Sequence, residues 1–259
     1  MVVWTVANQK GGVGKTTSTI TLGGLLADQG LRVLLVDTDP HASLSYYFGI
    51  ESEELDLSVY NLFLESSTKE QVLQTLCPTQ YPNIDILPAT MGLATLDRAL
   101  GKKGGMGLVL KKAIHLIEDE YDYVLIDCPP ILGVLMVNAL AASDRIIVPV
   151  QTEFLALKGL ERMINTLDIM QGEQADPFKY TIVPTMFDKR TKASLITYRK
   201  LQDIYFGKVW SGVIPIDTNF RNASQARKVP SDYLSSSRGV VAYKKLLHAL
   251  IDEHKRLIS

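Results

Sequence analysis

Val2-Val3-Trp4-Thr5-Val6-Ala7-Asn8-Gln9-Lys10-Gly11-Gly12-Val13-Gly14-Lys15-Thr16-Thr17 stands at the start of the chain. Val2–Ala7 is mostly apolar and β-branched and reads as a buried strand, while Thr16 to Gln29 carries helical spacing and closes at Gly30. Between them lies a glycine-rich loop whose backbone N–H groups can wrap phosphate oxygens while Lys15 adds positive charge. Phosphate would then rest on the helix N-terminus, where unsatisfied N–H groups and the helix dipole attract anions. The segment reads as a nucleoside triphosphate site.

The strict phosphate-loop pattern asks for glycine five residues before Gly14, and Gln9 stands there. In its place the chain carries the pair Gly11-Gly12 and a second lysine, Lys10, one cation more than a single cradle needs. Lys10-Gly11-Gly12-Val13-Gly14-Lys15-Thr16 resembles the deviant Walker A loop of the ParA/MinD family of dimeric ATPases. The resemblance implies ATP or ADP with Mg2+ as ligands and a homodimer in the ATP state. It implies Lys10 acting in trans on the partner's nucleotide, and Lys10, Gly11, Gly12, Val13, Gly14, Lys15, Thr16 and Thr17 as the phosphate-binding set.

At 259 residues, 46% hydrophobic and 21% charged, the chain can bury a substantial core, and one domain over 1–259 is expected. A net charge of −1 gives no global steering toward nucleic acid or membrane, so such binding needs a local patch. With no apolar run of about 18 residues and no signal-like start, the reading is a cytoplasmic protein. Cys77 and Cys128 lack zinc spacing and read as packing residues. Nitrogenase iron proteins share this loop and bridge subunits by cysteines around an iron–sulfur cluster, but Cys128 directly follows Asp127 at a buried strand end, a poor position for that role.

Apolar, β-branched runs recur at 2–7, 33–36, 84–87, 124–126, 146–150, 180–183 and 209–214, mostly separated by stretches with helical spacing. This predicts an α/β fold, a mostly parallel twisted sheet with helices on both faces, with ligands at the carboxyl ends of the strands. Residues 38–82 are the least regular part, with Ser/Glu-rich tracts at 51–58 and 65–70, and short helices are expected there.

Tyr123-Val124-Leu125-Ile126-Asp127 has the form of a Walker B strand, delivering one carboxylate to the phosphate end of the sheet. Magnesium keeps several waters and is held by a hydroxyl, one or two carboxylates and the phosphates, which suits Thr16 in the inner shell and Asp127 through water. The second strand ends Asp37-Thr38-Asp39-Pro40-His41, resembling the family's Asp-x-Asp-Pro-Gln segment. By that resemblance Asp37 supports the magnesium shell and Asp39 orients the attacking water, so Lys10, Lys15 and Asp39 form the catalytic set. His41 stands where glutamine is usual and reads as a surface or packing histidine.

The resemblance continues through Asp127-Cys128-Pro129-Pro130, Thr185-Met186-Phe187-Asp188 and Ile214-Pro215-Ile216-Asp217. It implies an adenine slot made by Thr185, Met186, Pro215, Ile216 and Asp217. Between Lys189 and Lys228 lies the one basic region of a near-neutral chain, and ParA relatives bind DNA non-specifically through such residues. Arg190, Arg199, Lys200, Arg221 and Arg227 are the DNA candidates. MinD proteins end in an amphipathic membrane helix, whereas Gly239 to Ile258 reads as a packing helix through Val240, Val241, Tyr243, Leu246, Leu247, Leu250 and Ile251, with no membrane tail.

The wording of the first two motifs most resembles the ParC branch of ParA-like ATPases, which places chemotaxis arrays at the cell pole. The resemblance thus implies a slow, partner-stimulated ATPase that positions cargo through an adaptor, at a pole or on the nucleoid. A chromosome or plasmid partition ATPase shares all of this chemistry. A small-molecule enzyme of the dethiobiotin synthetase kind would turn over ATP only with its organic substrate, and a nucleotide-gated scaffold would bind ATP without stimulated turnover.

Overall fold

The computed structural model describes residues 1–64, 66–96, 106–172 and 177–258. Its strands are β1 (Val2–Val6), β2 (Val33–Asp37), β3 (Cys77–Pro78), β4 (Ile84–Leu87), β5 (Tyr123–Asp127), β6 (Arg145–Gln151) and β7 (Tyr180–Thr185). They form one sheet in the order β3-β4-β2-β5-β1-β6-β7, parallel except for β3. The expected α/β sheet is therefore observed. Its strands are apolar on both faces because both faces are covered.

Side chains alternate between the two sides. Val3, Leu34, Val36, Val124, Ile126, Ile146 and Val148 pack into one core with helices α5 (Val109–Leu116), α6 (Val134–Ala142) and α7 (Ala156–Gln171). Trp4, Val6, Leu35, Leu125 and Ile147 pack into the other, with α1 (Lys15–Ala27) and the last helix, α11 (Arg238–Ile258). Helix α1 comes close to its neighbours by means of two glycines. A Cβ on Gly24 would fall 2.9 Å from Val229 Cβ, and one on Gly23 would fall 2.7 Å from Leu35 Cδ2.

The irregular region contributes the short helices expected of it: α2 (Ser43–Tyr47), α3 (Val59–Leu62) and α4 (Lys69–Gln74). Ser58 and Thr68 start the latter two with capping boxes that satisfy the free N–H groups. Glu65, the first residue of one acidic tract, lies outside the described residues.

Two expectations change. Val209–Ile214 is not a continuous strand: a bridge from Val209 to Ile182 ties its start to β7, and the Ile214 N–H returns to the Pro184 carbonyl at 2.8 Å. The Trp210 ring folds over Gly212, where a Cβ would lie 2.4 Å from it, and the backbone bends there, interrupting the ladder before Ile214 rejoins it. Conversely, Cys77–Pro78 pairs antiparallel with β4, a pairing too short to show in apolar periodicity. In α11, Val240, Tyr243, Leu246, Leu247 and Leu250 are buried as expected, whereas Val241 is exposed. Among the described residues no helix is long and apolar enough to cross a membrane.

Beyond α7 come α8 (Lys192–Ile204), α9 (Asn219–Gln225) and α10 (Pro230–Leu234), the last started by proline in its first turn. Substituting Gly24→Leu would force a branched side chain into Val229 and Ser231, so urea denaturation should show a loss of about 3 kcal/mol.

Candidate functional site

The loop after β1 keeps its conformation through glycine: Gly12 has φ 73° and Gly14 φ 94°, the left-handed region open to residues without a Cβ. Gly14 stands at the start of α1, and no side chain caps that helix. Its first N–H groups are therefore directed at whatever anion occupies the loop. Lys15 is buried, with its ammonium on the Lys10 carbonyl at 3.4 Å.

Parallel register brings the carboxylates together. Asp37, the last residue of β2, is aligned with Asp127, the last residue of β5, and Asp127 is aligned with Val6 of β1. Thr16 Oγ1 donates to Asp127 Oδ2 at 2.6 Å, and Thr19 Oγ1 to Oδ1 at 3.4 Å. A hydroxyl and a carboxylate beside a phosphate loop are the donor set that could hold Mg2+ when phosphates complete it. Among the described residues no group of three or more His, Cys, Asp or Glu side chains forms a metal site without them.

Burial pushes the Asp127 carboxyl up to about 8, with the nearby Asp37 charge adding to the shift. Asp37, also buried, is pushed up to about 6 by desolvation despite its hydrogen bonds. Its Oδ2 accepts from the Ser45 N–H and hydroxyl, each at 2.9 Å, and its Oδ1 from the Asp39 N–H at 3.1 Å. Asp37 thus anchors the turn that carries Asp39 and the start of α2. The two aspartates do not simply share one side of a strand end, because the chain turns after Asp37.

Asp39 Oδ1 accepts from the His41 N–H at 3.0 Å and lies 2.9 Å from His41 Nδ1. His41 is a surface histidine, as its sequence suggested, yet it is attached to the carboxylate proposed to orient water. Lys10 turns out of the loop: its ammonium pairs with Glu153, just beyond β6. Sequence reading missed Glu153 and Ser45, which carry no motif and become visible only through contacts.

The adenine-side assignments divide. Pro215 and Ile216 line a cavity of 610 Å³ whose walls include Phe187, Trp210 and Val241. Thr185 is buried with its hydroxyl on the Val13 carbonyl at 2.9 Å, so that hydroxyl is engaged with the phosphate loop. Asp217 caps backbone N–H groups of Asn219 and Gly239 at 3.0 and 2.8 Å, a structural use of that carboxylate. Met186 is partly exposed at φ 51°, turning the chain out of β7.

The basic candidates do not make one free patch. Arg190 is forked onto Asp188 at 2.9 and 2.8 Å, and Arg227 pairs with Glu51 at 3.5 Å, so each has a carboxylate from its own chain. Arg221 lines a second cavity, of 370 Å³, with Thr16, Thr17 and Tyr47. Arg199 and Lys200 are exposed on α8, the Lys200 ammonium 5.7 Å above the Phe154 ring. Cys128 is buried in the core and Cys77 lies on the edge strand, so the two do not converge on a shared cluster site.

Comparison with known proteins agrees with this geometry. A family model described as an AAA domain matches residues 1–180. The chain is 36% identical to the sporulation initiation inhibitor protein Soj of Bacillus subtilis over 93% of its length and 94% of that protein's. It is 35% identical to the chromosome partitioning protein ParA of Caulobacter vibrioides, covering 98% of this chain and 95% of that one. Among solved structures it resembles a cobyrinic acid a,c-diamide synthase from Mycobacterium smegmatis with bound ATP analog and magnesium: TM-score 0.84, 33% identity, 98% and 96% coverage.

The two raised carboxyls make a pH prediction for the ligand-free protein. A carboxyl whose folded pKa lies above its unfolded value of about 4 favours the fold when protonated. That contribution is complete below about pH 4 and is lost as pH rises through about 6 for Asp37 and about 8 for Asp127. Asp127→Asn should therefore unfold at a higher temperature than wild type at pH 9, the gap closing toward pH 4. Equal melting temperatures at both ends would show that Asp127 ionises without penalty.

Proposed function

The chain belongs to the ParA/MinD family of P-loop ATPases, and on that footing we propose that it works as an ATP-driven dimerisation switch that positions cellular cargo. The observation that carries this reading is the parting of two lysines. Lys15 stays in the loop against the Lys10 carbonyl, whereas the Lys10 ammonium leaves it for Glu153. A single phosphate cradle needs one lysine, and the other is left for a nucleotide on a second copy of the chain.

In this reading the triphosphate lies along the amides of 11–17, Lys15 offsets charge on the β- and γ-phosphates, and Thr16 with Asp127 holds Mg2+. Magnesium supplies charge neutralisation at the phosphates. Asp37 fixes the turn through Ser45, and Asp39 on that turn orients water toward the γ-phosphate. Exchange of the Glu153 pair for a partner's phosphate commits Lys10 to the dimer. Hydrolysis removes that phosphate and releases it.

For the cargo, the wording of 7–17 and 37–44 supports a polar chemotaxis array reached through an adaptor. The names of the Soj and ParA relatives support a second reading, chromosome or plasmid partition, with Arg199 and Lys200 as non-specific DNA contacts on α8. The name of the mycobacterial synthase supports a third, ATP-dependent chemistry on a small organic acid. Copurification with an array protein, with a DNA-bound centromere protein, or turnover only with an organic substrate separates the three.

Lys10→Ala should bind ATP with Mg2+ close to wild-type affinity yet stay monomeric in light scattering. An ATP dimer from this variant would put Lys10 outside the interface.

Asp39→Ala should keep nucleotide and metal but hydrolyse at least about 100-fold more slowly, since positioning of water matters only in the transition state. Single-turnover phosphate release measures this. A wild-type rate would remove Asp39 from the reaction.

A further inference from the structure

A phosphate loop built of glycine has few side chains of its own to hold its peptide planes. Around Gly11, Gly12 and Gly14 there is no heavy atom within 4 Å of where a Cβ would stand. Yet the usefulness of the loop depends on where its N–H groups point. In a trans peptide unit the C=O and N–H are directed oppositely, so a group that fixes a loop carbonyl also aims the next residue's amide.

Two consecutive carbonyls of the loop accept buried hydroxyls, one from β7 and one from the first turn of α1. Val13 O accepts the Thr185 hydroxyl at 2.9 Å, from the end of β7. Gly14 O accepts the Ser18 N–H at 2.9 Å and the Ser18 hydroxyl at 2.7 Å. The Ser18 hydroxyl also lies 2.7 Å from the Tyr243 hydroxyl of α11. With its single proton on Gly14 O, Ser18 accepts from Tyr243. Thr185, Ser18 and Tyr243 are all buried, where hydrogen bonds are not replaced by water.

The first brace has further backing. The Thr185 carbonyl accepts from the Thr152 N–H at 3.0 Å, and Thr152 Oγ1 lies 3.1 Å from Ser194 Oγ on α8. Thr152 precedes Glu153, the partner of Lys10.

We propose that Thr185 and Tyr243, the latter through Ser18, are positioning residues that aim the Gly14 and Lys15 amides at bound phosphate. The inference rests on the nucleotide reading of the loop. Each brace acts on its own peptide plane, and neither residue touches the ligand itself.

The test uses the full chain and MgADP, with affinity read by calorimetry and melting temperature read with and without nucleotide. Thr185→Val keeps volume and β-branching but lacks the hydroxyl, Thr185→Ser keeps the hydroxyl, and Tyr243→Phe keeps the ring. Thr185→Val and Tyr243→Phe should each weaken MgADP by about tenfold, the effect of one buried hydrogen bond, while Thr185→Ser stays close to wild type. Tyr243→Phe should add nothing in a Ser18→Ala background, because both act through Gly14 O, whereas Thr185→Val should add its full effect. Wild-type affinity in both hydroxyl-deleted variants would overturn the proposal. So would a lower melting temperature of the free protein with an unaltered nucleotide-induced rise, the mark of a purely structural role. Absence of MgADP binding by the wild type would instead overturn the nucleotide reading, and the braces with it.

Discussion

At the carboxyl ends of β2 and β5, parallel register sets Asp37 beside Asp127 in the protein interior, and the whole nucleotide end is arranged around that pair. Burial out of water makes each carboxyl resist ionising, and the Asp37 charge adds to the shift at Asp127, which is why both are raised. Hydrogen bonds relieve part of the strain: Thr16 to Asp127, and Ser45 and the Asp39 amide to Asp37. A divalent cation bound there with phosphate would offset the remaining charge. The pair thereby links three segments, the phosphate loop, the β5 end and the turn bearing Asp39, to one charge balance.

The loop itself depends on its surroundings in a second way. Glycine lets Gly12 and Gly14 adopt positive φ, but the same freedom leaves the amides undirected unless something outside fixes them. Hydroxyls from Thr185 and Ser18 do so, and Tyr243 ties that arrangement to the last helix. On the other side of the loop, Glu153 holds Lys10 away from the cradle in the single chain. Lys10 and Lys15, five residues apart, thus take different partners in the single chain.

Charge tells a similar story at the surface. A basic count between 189 and 228 suggests one anionic partner face, yet Arg190 and Arg227 are occupied by Asp188 and Glu51 and Arg221 lines a cavity beside Thr17. Arg199 and Lys200 on α8 keep their charge toward solvent. Counting cations along a chain overlooks carboxylates that folding brings alongside.

Sequence alone determined the α/β class, the strand-loop-helix at residues 2–27, the Walker B strand ending in Asp127 and the identity of the ligand class. These follow from local patterns: apolar runs make strands, and glycines with lysine make a phosphate loop wherever the fold puts them. Tertiary contacts alone put the Thr185 hydroxyl on the Val13 carbonyl, Asp217 on backbone N–H groups and Glu153 on Lys10. Packing of Trp210 on Gly212 likewise interrupts the pairing of 209–214 with β7 before Ile214 rejoins it. Each of these is a contact between residues far apart in the chain, and side-chain direction at such contacts is set by register and packing, for which the linear order of residues carries no local signal.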